Sequence, residues 1–384
     1  KVTAKFQALA VIPRLQALFL FVIRILTPCD YKPNHAVVND NAQHLRYLTI
    51  GHYIGAAITA LFACIPLILA SIGLILPLNS AQGDAPKSVL AKHIVVDSSG
   101  YGAPVHLVNL ENQSIKESSG IAASRRNADI FWTHNDSGDG PFIYAFDRQG
   151  KHHGVWRVVG ASAVDWEDMA IGPGPRRGQS YLYLGDIGDN SKKRDQITVY
   201  RVPEPRITSK DSSSTVKTPR ETQAADVIRL KYPDGKYDAE TLLIHPLTGD
   251  LYIGAKVRGA PARVYKLKAP APKSGVSTLS FVGELRFPNQ LLGFITGGAI
   301  SPDGRRVIIS DYLGACELIL PGKRGIAFDE IWKQSPLPVD IGGFPGVRRQ
   351  GEAICYRADG LALLATSEGL PCPLIEVARS DQVR

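Results

Sequence analysis

One short pattern recurs along most of this chain and constrains the fold more than any other feature. It reads SSGIAAS at 118–124, WEDMAIG at 166–172, AETLLIHP at 239–246, TGGAISPDG at 296–304 and GEAICYRADG at 351–360. Taking Ser119, Glu167, Glu240, Gly297 and Glu352 as equivalent gives spacings of 48, 73, 57 and 55 residues. Each copy is a small or acidic residue, a short apolar strand and a turn. Repeats of this length mark arrays in which each unit buries its apolar faces against the next.

A second strand follows each copy: DIFWTHND, SYLYLGD, DLYIGAK, RRVIISD and ALLATSE. A third follows at FIYAFD, ITVYRV, RVYKLK, CELIL and LIEVA, with apolar and polar residues alternating in ITVYRV and LYIGAK. Fourth strands fit 153–160, 225–232, 279–287 and the region of 327–341. The fifth unit ends after its third strand, and PVHLVNL (104–110) supplies the missing edge. Four antiparallel strands per unit predict an all-β chain, a five-bladed β-propeller. A six-bladed ring is the alternative if 93–110 contributes more, and a two-sheet sandwich also accommodates short strands and turns. The polar stretch 209–223 reads as a surface loop that lengthens one interval.

Residues 56–78 form 23 uncharged residues, long enough to cross a bilayer. Two readings stand: a signal peptide within 56–81, cut after Ser80-Ala81, or an uncleaved anchor. Basic residues upstream place the following domain outside the cytoplasm, periplasmic or secreted. The expected organisation is an uncertain basic and apolar region at 1–55, the targeting segment at 56–81, a linker at 82–103 and the propeller at 104–384. The net charge of +8 divides evenly about residue 80 and forms no dense basic stripe, which argues against a nucleic-acid partner. Cys316, Cys355 and Cys372 allow at most one disulfide, or three isolated buried thiols.

In an up-and-down blade, the start of strand one and the end of strand two meet at the same face. That geometry gathers Glu167, Glu240 and Glu352 at the mouth of the central channel, with Asp136, Asp168, Asp186 and Asp311. Crowded carboxylates repel unless a proton or cation neutralises them. An oxygen-only donor set favours Ca²⁺ over zinc. The loops HNDSGDG (134–140) and GDIGDN (185–190) suit a cation, although Asp and Asn beside glycine are also ordinary turn formers. Lys256, His134 and Arg349 are the candidate substrate-binding residues, with Lys256 alternatively pairing a neighbouring carboxylate. No G-x-S-x-G, H-E-x-x-H or dinucleotide-loop motif occurs, so any catalysis is expected to be metal-assisted.

The succession SSGIAAS, DWEDMAIG, GDIGDN, DAETLLIH, TGGAISPDG and GEAICY resembles exported bacterial propellers related to β-propeller phytases, the phytase-type esterase-like group. It is also similar to the SdiA-regulated propeller family. The resemblance covers about residues 115–380 and implies a calcium-binding propeller outside the cytoplasm, with Glu167, Glu240 and Glu352 at the matching positions and Lys256 a looser match. It leaves two functions open. One is a Ca²⁺-dependent phosphoester or ester hydrolase. The other is a non-catalytic propeller that binds a small anionic molecule, a glycan or an envelope protein, held to the membrane through 56–78 if that segment is not cleaved.

Overall fold

A computed structural model describes residues 100–257, 259–286, 294–312, 314–322, 325–343, 348 and 350–380. The apolar run 56–78, the region before it, the linker up to 99 and Arg349 lie outside the described residues. Among the described residues, no helix is long and apolar enough to cross a membrane.

The strands form five sheets, antiparallel except where the short strands Arg220–Glu221 and Val276–Thr278 each add a parallel pairing at an edge. Strand β1 (Val105–Asn109) precedes the first complete blade. That blade is β2 (Ser118–Ala123), β3 (Ile130–Asn135), β4 (Phe142–Asp147) and β5 (His152–Arg157). The second is β6 (Trp166–Pro173), β7 (Ser180–Asp186) and β8 (Ile197–Pro203), then, after β9 (Arg220–Glu221), β10 (Asp226–Lys231). The third is β11 (Asp238–Ile244), β12 (Leu251–Lys256) and β13 (Ala262–Leu267), then, after β14 (Val276–Thr278), β15 (Ser280–Leu285). The fourth is β16 (Ile295–Ile300), β17 (Arg306–Asp311), β18 (Ala315–Ile319) and β19 (Leu337–Val339). The fifth is β20 (Ile354–Tyr356), β21 (Ala362–Ala365) and β22 (Pro373–Ala378), completed by β1.

Val105 pairs with Glu376 and Asn109 with Pro373, so the two ends of the domain share one sheet. This closure covers an edge that would otherwise expose unpaired N–H and C=O groups. The 209–223 stretch is more structured than a loop. Its Ser214 and Thr222 hydroxyls accept the Val155 and Val159 amides at 2.8 and 3.1 Å, and β9 adds a short parallel strand beside β5.

The core lies between blades. Trp132, Trp156, Trp166, Met169, Leu182 and Leu184 pack the first blade on the second. Tyr181, Val199, Leu242 and Ile253 do the same between the second and third. Each fully buried large apolar side chain contributes about 1.5–3 kcal/mol. Cys316, Cys355 and Cys372 are free thiols in this packing, so the disulfide reading gives way to buried thiols. Burial pushes the Cys372 thiol up to about 12.

Candidate metal centre

The inner strands share a device the sequence did not reveal. Register shifts fall between Ser118 and Gly120, Trp166 and Asp168, Ala239 and Thr241, and Ile295 and Gly297. Each is a β-bulge, which inserts one residue and re-aims its side chain. The inserted residues are Ser119, Glu167, Glu240 and Thr296. Glu352, directly ahead of β20, completes the ring. In the fourth blade the equivalent residue is therefore Thr296 and not Gly297. Gly297 instead allows close packing, since a Cβ there would come within 2.4 Å of the Glu352 carbonyl oxygen. Hydroxyls stitch neighbouring blades: Ser119 donates to the Glu167 carbonyl, Thr296 to that of Gly351 at 3.0 Å, and Ser310 to that of Glu352 at 2.9 Å.

Two groups of carboxylates meet at Glu167. One oxygen each from Asp136, Asp165 and Glu167 lie within 4.8 Å of one another, as do oxygens of Glu167, Asp238 and Glu240. Their positions are set by backbone. Asp238 Oδ1 accepts the Asp189 amide at 2.9 Å. The Ile187 and Gly188 amides donate to the Asp165 carbonyl at 3.1 and 3.2 Å. Gly188 lies against both carboxylates: a Cβ there would approach Glu167 Oε1 to 2.1 Å and Asp165 Oδ2 to 2.4 Å. Lys256 is the one cation bonded to this group among the described residues. Its ammonium donates to Glu240 Oε1 and lies 3.6 Å from Asp238 Oδ2.

Burial and mutual repulsion raise the proton affinity of Asp136, Asp165, Glu167 and Glu240. Burial pushes Glu240 up to about 8 even with Lys256 beside it. Burial, then Glu240 and Asp136, pushes Glu167 well above the carboxylate range. Burial also raises Asp165 to about 6 and Glu368 to about 7. Glu352 is buried, shifts well upward by burial and then by Glu368, and its Oε2 has no hydrogen-bond partner. A divalent cation would relieve the two clusters, since all their donors are oxygens.

The structure brings together Glu167, Glu240 and Asp136 of the expected set, with Asp165 and Asp238, which neighbour Glu167 and Glu240 in sequence. Others take different positions. Asp168 is fully buried, and its carboxylate accepts the Met169 and Leu242 amides at 2.7 and 2.9 Å. It ties the second blade to the third. Asp186 pairs with Arg194 at 2.8 Å and accepts the Asp165 amide at 3.2 Å, so it positions Asp165. Asp311 accepts the Gly314 amide at 2.7 Å in its own hairpin turn and joins neither group.

His134 is also displaced from its expected role. It is fully buried, stacks edge-on against Trp166 with ring centroids 5.5 Å apart, and Nδ1 bonds the Asn135 carbonyl at 2.8 Å. Burial pushes it down to about 4, so it is neutral packing between blades. Lys256 follows the pairing alternative. Arg348, neighbour of Arg349, is fully buried and donates to the Thr366 and Ala353 carbonyls.

Tyr312 was not anticipated. It follows Asp311 where the second strand of the fourth blade ends at the mouth, and its phenol is held protonated by burial and by the fields of Glu352, Glu240 and Glu368. The position carried the signal, since the other blades supply mouth residues from that strand end. Phe294, before β16, lies 5.5 Å from the Lys256 ammonium. The fourth blade thus contributes aromatic rings where its neighbours contribute carboxylates. Toward the far ends of the inner strands lies a cavity of about 50 Å³, lined by residues such as Ile121, Met169, Leu243 and Ile300.

The strand pairing defines the class, a five-bladed β-propeller. No family model and no curated protein matches the chain. Among solved structures it is similar to a gluconolactonase from Xanthomonas campestris, at 12% identity over 72% of this chain and 89% of that one, with a TM-score of 0.39.

Proposed function

We propose that this chain is an extracytoplasmic, calcium-dependent hydrolase of esters, with its site at the acidic mouth of the propeller. The observation that carries the reading is Glu167, whose carboxylate belongs to two oxygen clusters at once. Asp136, Asp165, Glu167, Asp238 and Glu240 would hold the ion. Bound there, Ca²⁺ supplies polarisation of the substrate oxygen and a more acidic bound water. Glu368, poised at about 7, is suited to take a proton from water at neutral pH. Tyr312 offers a phenolic donor on the other side.

The resemblance to phytase-type propellers leaves phosphoesters and carboxylic esters both open, and the charges favour the second. Lys256 is engaged by Glu240 and Asp238, and Arg348 by backbone carbonyls. A dianionic phosphoester would therefore meet mostly carboxylates, whereas a neutral ester would not. The same engagement of the cations favours a second reading, a non-catalytic propeller whose calcium-loaded mouth binds a glycan or envelope protein.

The test uses the purified full chain, in detergent if residues 56–78 keep it in the membrane. Calcium binding is measured by calorimetry after chelation, and p-nitrophenyl acetate and p-nitrophenyl phosphate are offered with calcium or with EDTA. Ester turnover lost in EDTA and restored by calcium is expected. Calcium binding with turnover of neither compound selects the binding module. No calcium binding ends both readings.

A further inference from the structure

The face opposite the mouth carries a second cavity with a different chemistry. Inner strands begin at the mouth, so their far ends, and the turns that follow, lie on the other face. Between the second and third blades these turns enclose about 420 Å³, a size usual for small-molecule sites. The walls are Pro173 and Pro175 beyond β6, Leu251 and Leu267 of the third blade, and Pro270 and Ala271 beyond β13. The Tyr183 ring and Ile228 close the side of the second blade. Gly249, at φ +78°, takes the left-handed turn in this wall, beside Pro173 and Ala269.

Among the described residues, the charged side chains lining this cavity are both cationic, Arg201 and Lys273, and no carboxylate lines it. Arg201 is fixed in place. Its Nε and Nη2 donate to Asp226 at 3.0 and 2.8 Å, and its guanidinium lies 5.9 Å from the Tyr181 and Tyr183 ring centres. A guanidinium has more N–H donors than this carboxylate accepts. The nearby acid Asp250 is turned away, bonding the Ala269 amide at 2.8 Å and pairing with Lys266 at 3.0 Å. Lys273 is exposed, as are Arg176 and Arg177, which follow Pro175. The polar group of the Tyr183 ring is satisfied by the Pro173 carbonyl at 2.5 Å, which leaves the ring to act as an apolar surface.

From an apolar, proline-walled cleft with cations and no acid, we infer a site for a small amphipathic carboxylate with a flat apolar body. The body lies against Pro173, Pro270 and Tyr183, where burial of apolar area drives association. The carboxylate lies toward Lys273 and the remaining Arg201 donors, in charge-assisted hydrogen bonds. The site is separate from the mouth and does not depend on the metal.

The test titrates the full chain with 2-naphthylacetate by calorimetry, beside 2-naphthylethylamine and 2-naphthaleneethanol, which share the ring and differ in the head group. One saturable site is expected for the carboxylate, with the alcohol at least threefold weaker and the amine undetected. Lys273→Glu, an exposed position, should weaken the carboxylate about tenfold and leave the melting temperature unchanged. Ala271→Trp should fill the cleft and abolish binding. EDTA should change nothing. The inference is overturned if the carboxylate does not saturate, if the amine binds as tightly, if Lys273→Glu binds like the wild type, or if EDTA removes binding and so places the ligand at the mouth.

Discussion

The third and fourth blades are built alike and end differently. Both open on a bulged inner strand, both pair the same way with strand two, and both pack apolar faces on their neighbours. The third blade aims Glu240 into the mouth and sets Asp238 and Lys256 beside it. The fourth aims Thr296 at a backbone carbonyl and brings Tyr312 and Phe294 to the rim. A bulge is therefore a mounting and not a function. The same backbone device holds a buried carboxylate in one blade and a hydroxyl for blade-to-blade adhesion in the next.

The comparison breaks most visibly at Glu167, shared by both oxygen clusters. Glu167→Gln should lower calcium affinity by about a hundredfold, measured by calorimetry, while melting of the chelated protein rises or holds because a buried acid has been removed. Affinity within threefold of wild type would detach the metal from the bulge ring. Lys256→Met acts on the third blade alone. It leaves Glu240 and Asp238 without their cation, and the chelated protein should lose about 3 kcal/mol by denaturant titration. Calcium should then bind about tenfold more tightly, because it no longer competes with the ammonium. Weaker calcium binding in this variant would make Lys256 a supporting group.

The acids also predict a pH dependence. Glu240 rises from 4.5 to about 8 and Glu368 from 4.5 to about 7. The folded chain thus holds more protons than the unfolded chain between those values. Stability of the chelated protein should be greatest below about pH 4.5 as far as these groups decide it, and should fall as pH rises toward 8. Calcium should reverse the trend at pH 8, where the carboxylates are ionised to receive it. A chelated melting temperature that climbs from pH 5 to 8 would contradict the shifts.

Smaller effects sharpen the contrast. Asp168→Asn weakens acceptance of backbone amides and should cost about 1–3 kcal/mol without moving calcium affinity. Thr296→Ala removes the bond to Gly351 and should cost about 1 kcal/mol, again with calcium unaffected. A change in metal affinity from either would extend the site into residues assigned here to scaffolding.

Strand order and closure were legible because alternation and turn residues state them directly, while the choice of five blades over six needed the observed pairing of β1 with β22. SYLYLGD and DLYIGAK read as strands from composition alone. The site was half legible. Glu167, Glu240 and Glu352 stood out by position, but a bulge adds one residue without any compositional mark. The sequence therefore could not say that Glu167 faces the mouth while adjacent Asp168 turns inward, or that Thr296 replaces Gly297. His134 failed for a related reason: successive residues at a strand end face opposite sides, and His134 packs on Trp166 while Asn135 caps the Lys116 and Glu117 amides.

Closure by β1 has a consequence for biosynthesis. Val105 waits for Glu376, a partner made long after it. Four blades can assemble as they emerge, but the fifth needs the first strand and the last together, a long-range contact that slows folding. A nascent or shortened chain that lacks β22 would leave β1 unpaired and the ring open. The domain thus checks its own completeness, since the ring can close only once β22 is in place.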